Sequence, residues 1–123
     1  MIKKIISIES LKKIISNSKI KGKKIVLCHG VFDLLHLGHI RHFNEAKNLG
    51  DVLVVSITSD AFVHKGPNSP VFNEYDRAEA IASLNSINFV VINRNLTASS
   101  LIEKLKPNIY CKGPDYKITK NDI

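Results

Sequence analysis

Apolar residues along this chain fall into two alternating rhythms. Ile8, Leu11, Ile14 and Ile15 recur at helical spacing, so an amphipathic helix opens the chain. Gly22 breaks it. Residues 24–28 (KIVLC) are almost wholly apolar, as in a parallel strand covered on both faces. A loop over 29–35 (HGVFDLL) leads to a helix over 36–49, with Ile40, Phe43 and Ala46 inward and Gly50 as its stop. Residues 51–58 (DVLVVSIT) read as the second strand. Residues 59–72 contain Gly66, Pro67 and Pro70 and read as loop. Asn73 caps a third helix carrying Arg77, Ala78, Ile81 and Leu84. A third strand over 88–92 follows, then a fourth helix over 97–105, ended by Pro107. A short strand over 109–111 precedes residues 112–116 (KGPDY).

Strands alternating with helices predict an α/β fold, a Rossmann-like three-layer α/β/α arrangement with a parallel sheet. Right-handed crossovers place every helix start on one sheet edge. Open sheets of this kind bind ligands beyond the carboxyl ends of their strands. Residues 29–39, 58–66 and 112–116 converge there, and they hold the most unusual polar residues of the chain.

A length of 123 residues makes one domain the expectation. No apolar run approaches the length of about 18 residues that reads as a membrane span, and the N-terminus has no secretory pattern. A cytoplasmic location is therefore expected, with no membrane partner. Cys28 and Cys111 both sit in apolar runs, which fits reduced, buried thiols better than a disulfide framework. The net charge of +7 attracts phosphorylated molecules in general and selects none of them. Much of the excess lies over residues 3–24 and 104–120, and the lysines of the first group read as a solvated face.

The segment that carries chemistry is 30–39 (GVFDLLHLGH). A glycine leaves the first strand and a helix begins a few residues later, offering unpaired N–H groups and a positive dipole end to phosphate. His36 and His39 share one face of that first turn, and Gly38 between them lets a ligand lie against backbone. Two imidazoles beside free amides suit a triphosphate undergoing substitution at its α-phosphorus, where positioning and charge stabilisation carry catalysis.

Residues 30–39 resemble the HxGH signature of the cytidylyltransferase-like superfamily. The resemblance extends through 50–60 (GDVLVVSITSD), 65–67 (KGP), Arg77 and 105–116 (LKPNIYCKGPDY), so it covers about residues 5–118. In particular the chain looks like the nucleotidyltransferase domain of bifunctional heptose-phosphate kinase/adenylyltransferases, and also like glycerol-3-phosphate cytidylyltransferase. The resemblance implies an enzyme that moves a nucleoside monophosphate from ATP or CTP to a sugar or polyol phosphate and releases pyrophosphate. It implies that His36 and His39 stabilise the transition state and that Asp33 orients the motif. Lys65 would reach the phosphates, and Arg77 would match the family's substrate or phosphate arginine. The backbone of Gly30, Val31, Phe32 and Gly38 would pack on the nucleotide, with Lys112, Asp115 and Tyr116 near ribose and base. Mg²⁺ is implied as a bridge between the phosphates. Homodimers and a fused sugar-kinase domain are implied as well. Relatives continue into a further strand and a Ser/Thr-rich helix start, which this sequence lacks before Ile123. A fragment of a longer chain is the expectation.

Other readings stand beside these. His36 and His39, extended by His42, have spacing that also suits zinc. His42 and His64 read as surface histidines. His29 either satisfies its own polar groups at a strand end or contacts the nucleotide. Arg77 either meets phosphate or pairs with Glu74 or Asp76. A nucleotide-binding module without turnover is an alternative to the enzyme. HxGH also resembles the class I tRNA synthetase signature, but the length argues against a synthetase, and the chain lacks the interleaved aromatics of a single-strand binder. Nucleic acid is therefore not the expected partner. The choice between ATP and CTP stays open, because Pro114 stands where a glycine is expected.

Overall fold

The computed structural model describes residues 3–63, 69–95, 97–112 and 115–118, with backbone alone for 112 and 115–118. The elements follow in order as α1 (Ile8–Ile20), β1 (Ile25–Gly30), α2 (Leu37–Lys47), β2 (Val52–Thr58), α3 (Glu74–Ala82), β3 (Phe89–Asn93), α4 (Ser99–Leu105), β4 (Ile109–Lys112) and β5 (Asp115–Ile118). The sheet order is β3-β2-β1-β4-β5. The first four strands are parallel, and β5 runs antiparallel to β4.

Period-two alternation divides the strands between two cores. Ile25, Leu27, Val52, Val54 and Val91 pack with Leu11 and Ile15 of α1 and Leu101 and Leu105 of α4. Val26, Cys28, Leu53, Val55 and Ile57 pack with Phe43 and Ala46 of α2 and Ala78 and Ile81 of α3. Nearly continuous apolar strands are required because helices cover both faces, and the expected three-layer α/β/α sandwich is the architecture found.

Local chemistry sets the boundaries. Ser7 caps α1, accepting from Ser10 N–H, and Gly22 follows at φ +80. Asn73 caps α3 as expected, accepting from Asp76 N–H at 2.8 Å. Lys106 adopts the left-handed conformation after α4, and Pro107 forbids continuation. Gly50 is not the stop of α2, which ends at Lys47 with Asn48 as its cap. A Cβ on Gly50 would lie 2.7 Å from Val26 Cγ2 and 2.9 Å from the Lys24 carbonyl oxygen. The glycine serves a close approach between chain segments.

Two further features depart from the sequence expectation. Residues 112–116 are not simply a loop beyond the sheet: the chain turns back into β5, pairing Lys112 with Asp115 and Cys111 with Tyr116. The N-terminal segment also pads the free edge of β3, with Ile6 N–H donating to the Val90 carbonyl at 3.1 Å and Val90 N–H to the Lys4 carbonyl at 2.8 Å.

Cys28 and Cys111 are register neighbours across β1 and β4, both free and buried. The hydrogen bond to Cys111, together with burial, holds the Cys28 thiol well above the ordinary range, so it is a packing group and not a reactive thiolate. Among the described residues, no helix is long and apolar enough to cross a membrane.

Candidate functional site

β1 ends in Gly30 and α2 begins at Leu37, so the segment between them lies at the carboxyl edge of the sheet. Gly30 is required by what covers it: a Cβ there would stand 2.8 Å from Cζ of Phe32. Phe32 holds φ +51, a left-handed conformation that costs roughly 1–2 kcal/mol outside glycine. Its ring meets Phe43 edge-on at 5.1 Å and His39 at 5.6 Å. A core aromatic thereby braces one of the two histidines of the motif.

The spacing of the histidines has a local cause. His36 is the N-cap of α2, and its Nδ1 accepts from Gly38 N–H at 3.0 Å. His39, at the third helical position, reaches back so that its Nδ1 accepts from His36 N–H at 3.2 Å. The result is a capping box built from two imidazoles. Gly38 is part of it, since a Cβ there would lie 2.7 Å from Cε1 of His36. The two ring centroids are 4.0 Å apart.

This arrangement fixes the tautomers. A ring nitrogen that accepts a hydrogen bond carries no proton, so in each neutral ring the proton is assigned to Nε2. The site thus presents paired N–H donors at the positive end of a helix, which suits an anion. It does not suit zinc. A ligand histidine donates through its second nitrogen, and here that nitrogen accepts. His42 is packed near Phe43, with ring centroids 6.0 Å apart, and burial lowers its pKa.

Asp33 ties the motif to the chain ahead of α3. Its Oδ2 accepts from Val71 N–H at 2.7 Å and its Oδ1 from Phe72 N–H at 2.9 Å. Arg77 lies under the same loop and is 1% exposed. Its Nε donates to the Phe72 carbonyl at 3.0 Å, Nη1 to the carbonyls of Val31 at 2.9 Å and Thr58 at 2.7 Å, and Nη2 to Asp60 Oδ1 at 2.6 Å. Of the two readings of Arg77, the pairing with Glu74 or Asp76 is not the one found, since its carboxylate partner is Asp60. Arg77 sits at the fourth position of α3 and faces back across the sheet edge, not along its own helix. A cavity of about 480 Å³, lined by Phe32, Leu35, Phe72, Asp76, Arg77 and Ala80 among others, opens between the motif loop and α3.

Mg²⁺ takes oxygen ligands, commonly carboxylates together with substrate phosphates. Both oxygens of Asp33 are taken by backbone amides and Asp60 is taken by Arg77. Among the described residues no group of three potential metal ligands occurs. The described carboxylates of this edge are thus engaged by the protein's own groups.

The geometry can be set beside known proteins. The family model described as cytidylyltransferase-like matches residues 27–122. The chain belongs to the cytidylyltransferase-like family. It is 46% identical over 115 residues to the bifunctional protein HldE of Geobacter metallireducens, covering 92% of this chain and 24% of that one. It is 46% identical over 112 residues to the bifunctional protein HldE of Campylobacter jejuni subsp. doylei, covering 89% and 24%. The chain therefore spans about a quarter of the length of these relatives. The crystal structure of a lipopolysaccharide core biosynthesis protein from Thermoplasma volcanium matches with a TM-score of 0.67 at 34% identity, over 72% of this chain and 73% of that one.

Within this family member the structure brings Gly30, Val31, Phe32, Asp33, His36, Gly38, His39 and Arg77 to one edge. Lys65 lies outside the described residues. Lys112, Asp115 and Tyr116 are described by backbone alone, in the paired strands β4 and β5. At this edge Arg94 escaped the sequence reading, and Asp60 and Glu74 were met there without the partners the structure gives them. Asp60 binds Arg77, Glu74 accepts from Asp60 N–H at 2.9 Å, and Arg94 reaches Glu74 Oε2 at 2.7 Å. Only Asp60 had a signal, its place directly after the apolar strand. His29 bridges to β2, with Nδ1 2.8 Å from Ser56 Oγ and Nε2 3.5 Å from Thr58 Oγ1. It is held by neighbouring hydroxyls, the first of its two expected uses.

Proposed function

We propose that the chain transfers a nucleoside monophosphate from a nucleoside triphosphate to a phosphorylated sugar or polyol. An oxygen of the acceptor phosphate attacks the α-phosphorus. The bond from that phosphorus to the bridging oxygen breaks, and pyrophosphate leaves with the electron pair. The observation that carries this reading is the imidazole capping box, which sets both rings with Nε2–H as the donor toward α-phosphate oxygens. Donors fixed before the reaction stabilise charge as it develops, without the cost of reorganisation. In this reading the backbone of 30–32 packs on the nucleotide. Lys65, Lys112, Asp115 and Tyr116 supply the remaining phosphate and nucleoside contacts, and Mg²⁺ enters with the triphosphate.

The relatives named bifunctional protein HldE favour adenylyl transfer to a heptose 1-phosphate in the cytoplasm, in a protein that also carries a sugar-kinase domain. Transfer from CTP to glycerol 3-phosphate is the second reading, favoured by the family to which the chain belongs. Pyrophosphate release is the test, with ATP and CTP each offered to heptose, glycerol and ribitol phosphates. Release with ATP and heptose 1-phosphate is expected. Release only with CTP and a polyol phosphate would select the second reading. Nucleotide binding without release from any pair would make the domain a binding module.

A further inference from the structure

We propose that Arg77, Asp60 and Glu74 form a positioning clamp that sets the spacing between the histidine loop and the turn after β2, and that Arg77 serves turnover through this clamp, without touching phosphate. The proposal deepens the nucleotidyl-transfer reading and rests on it for its kinetic arm. An arginine offers five N–H donors. Four are committed here, to the Val31, Thr58 and Phe72 carbonyls and to Asp60. The side chain is 0% exposed, which leaves no open guanidinium face for a triphosphate. Its acceptors lie instead on three separate segments: the motif loop, the end of β2 and the approach to α3.

Asp60 is gripped twice. Arg77 holds its carboxylate, and Glu74 accepts its backbone N–H at 2.9 Å. The Glu74 carboxylate is only 8% exposed and pairs with Arg94 at 2.7 Å. One ion pair and one hydrogen bond to a carboxylate therefore hold the turn Asp60–Phe62, which leads into the segment carrying Lys65. The Val31 carbonyl held by Arg77 immediately precedes Phe32 at φ +51. A strained residue persists only where its surroundings over-determine it, and Phe32 in turn braces His39.

The test uses the full chain with Arg77→Lys, Glu74→Gln and Asp60→Asn. Lysine keeps the charge but cannot span four acceptors. In Arg77→Lys we expect kcat to fall about 10²-fold, as for a displaced reactive geometry, with the nucleotide Kd within about 3-fold of wild type. The Arg77→Lys/Asp60→Asn double variant should be no worse than the poorer single variant, because members of one network are not additive. Amide exchange should quicken at 31–39 and 58–63 together in Arg77→Lys, and also in Glu74→Gln should Arg77→Lys fail to fold. A nucleotide Kd that weakens in step with kcat/KM, with exchange unchanged, would return Arg77 to the phosphates and overturn the clamp. Exchange that quickens at only one of the two segments would overturn it as well. Exchange needs no turnover, so a wild-type chain inactive with every substrate pair would sink the functional reading and still leave the clamp to be judged.

Discussion

The histidine cap is made within four consecutive residues, His36 to His39, and lies near the surface. The arginine clamp joins residues 31, 58, 60, 72, 74 and 77 and is largely buried. Both act on one sheet edge. The cap owes its geometry to a helix start and can form wherever α2 begins. The clamp exists only after β1, β2 and α3 have come together. In the proposed reading, chemistry falls to the local device and the relative placement of loops to the non-local one.

The comparison is broken most directly at His39. With His39→Ala one Nε2 donor is lost, and turnover should fall about 10²- to 10³-fold, the loss typical of a single oxyanion donor. The back-bond to His36 N–H goes too, at about 1 kcal/mol. His36→Asn separates these effects, since asparagine is a good N-cap but has no Nε2–H. Its turnover should fall about as far while its melting temperature stays near wild type. Steady-state pyrophosphate release and a thermal melt on each variant decide the matter. Near-normal turnover in either variant would remove that ring from the chemistry.

Gly38→Ala is the next sharpest cut. Alanine favours a helix over glycine by up to about 1 kcal/mol, but its Cβ would meet the His36 ring at 2.7 Å. The ring must swing off Gly38 N–H, losing a cap of similar worth. Stability should hardly change while turnover drops about 10-fold, from displaced donors. A drop in melting temperature with turnover intact would show that Gly38 serves the helix and not the ring.

The same contrast explains what the sequence could disclose. Alternating apolar runs specified four parallel strands, because a sheet covered on both faces leaves no other pattern. The HxGH motif was legible because its residues lie within one turn, but its use as a cap was not, for amides read as free are taken by the two rings. Arg94 was not legible, and the true partners of Asp60 and Glu74 were not legible either. Their partners are 14 to 20 residues away along the chain, and nothing local marks which charges will meet. Arg77 itself was noticed, but its pairing was sought on its own helix, where neighbours three or four apart normally meet. The strand β5 was hidden because glycine and proline stand just before it in the sequence. The reason for Gly50 was hidden as well, since a close approach to Val26 and Lys24 is a tertiary fact.

His42 gives the smallest expected effect and the finest contrast, for it lies on the same helix three residues beyond His39. It packs near Phe43, and burial, partly opposed by the Glu45 charge, lowers its pKa below the ordinary 6.5. A neutral ring is therefore the form the fold favours. Between that lowered value and 6.5 the unfolded chain binds more protons at this position than the native one. Native stability contributed here is whole above 6.5 and declines as pH falls toward the folded value. Replacing His42 with Gln removes this proton linkage and leaves the capping pair untouched. The wild type should lose more stability than His42→Gln when denaturant melts are compared between about pH 7 and about pH 5. Turnover at neutral pH should be shared by both. Parallel stability profiles would mean that this ring titrates as it does in the unfolded chain. A lost turnover would mean that the third histidine belongs with the first two.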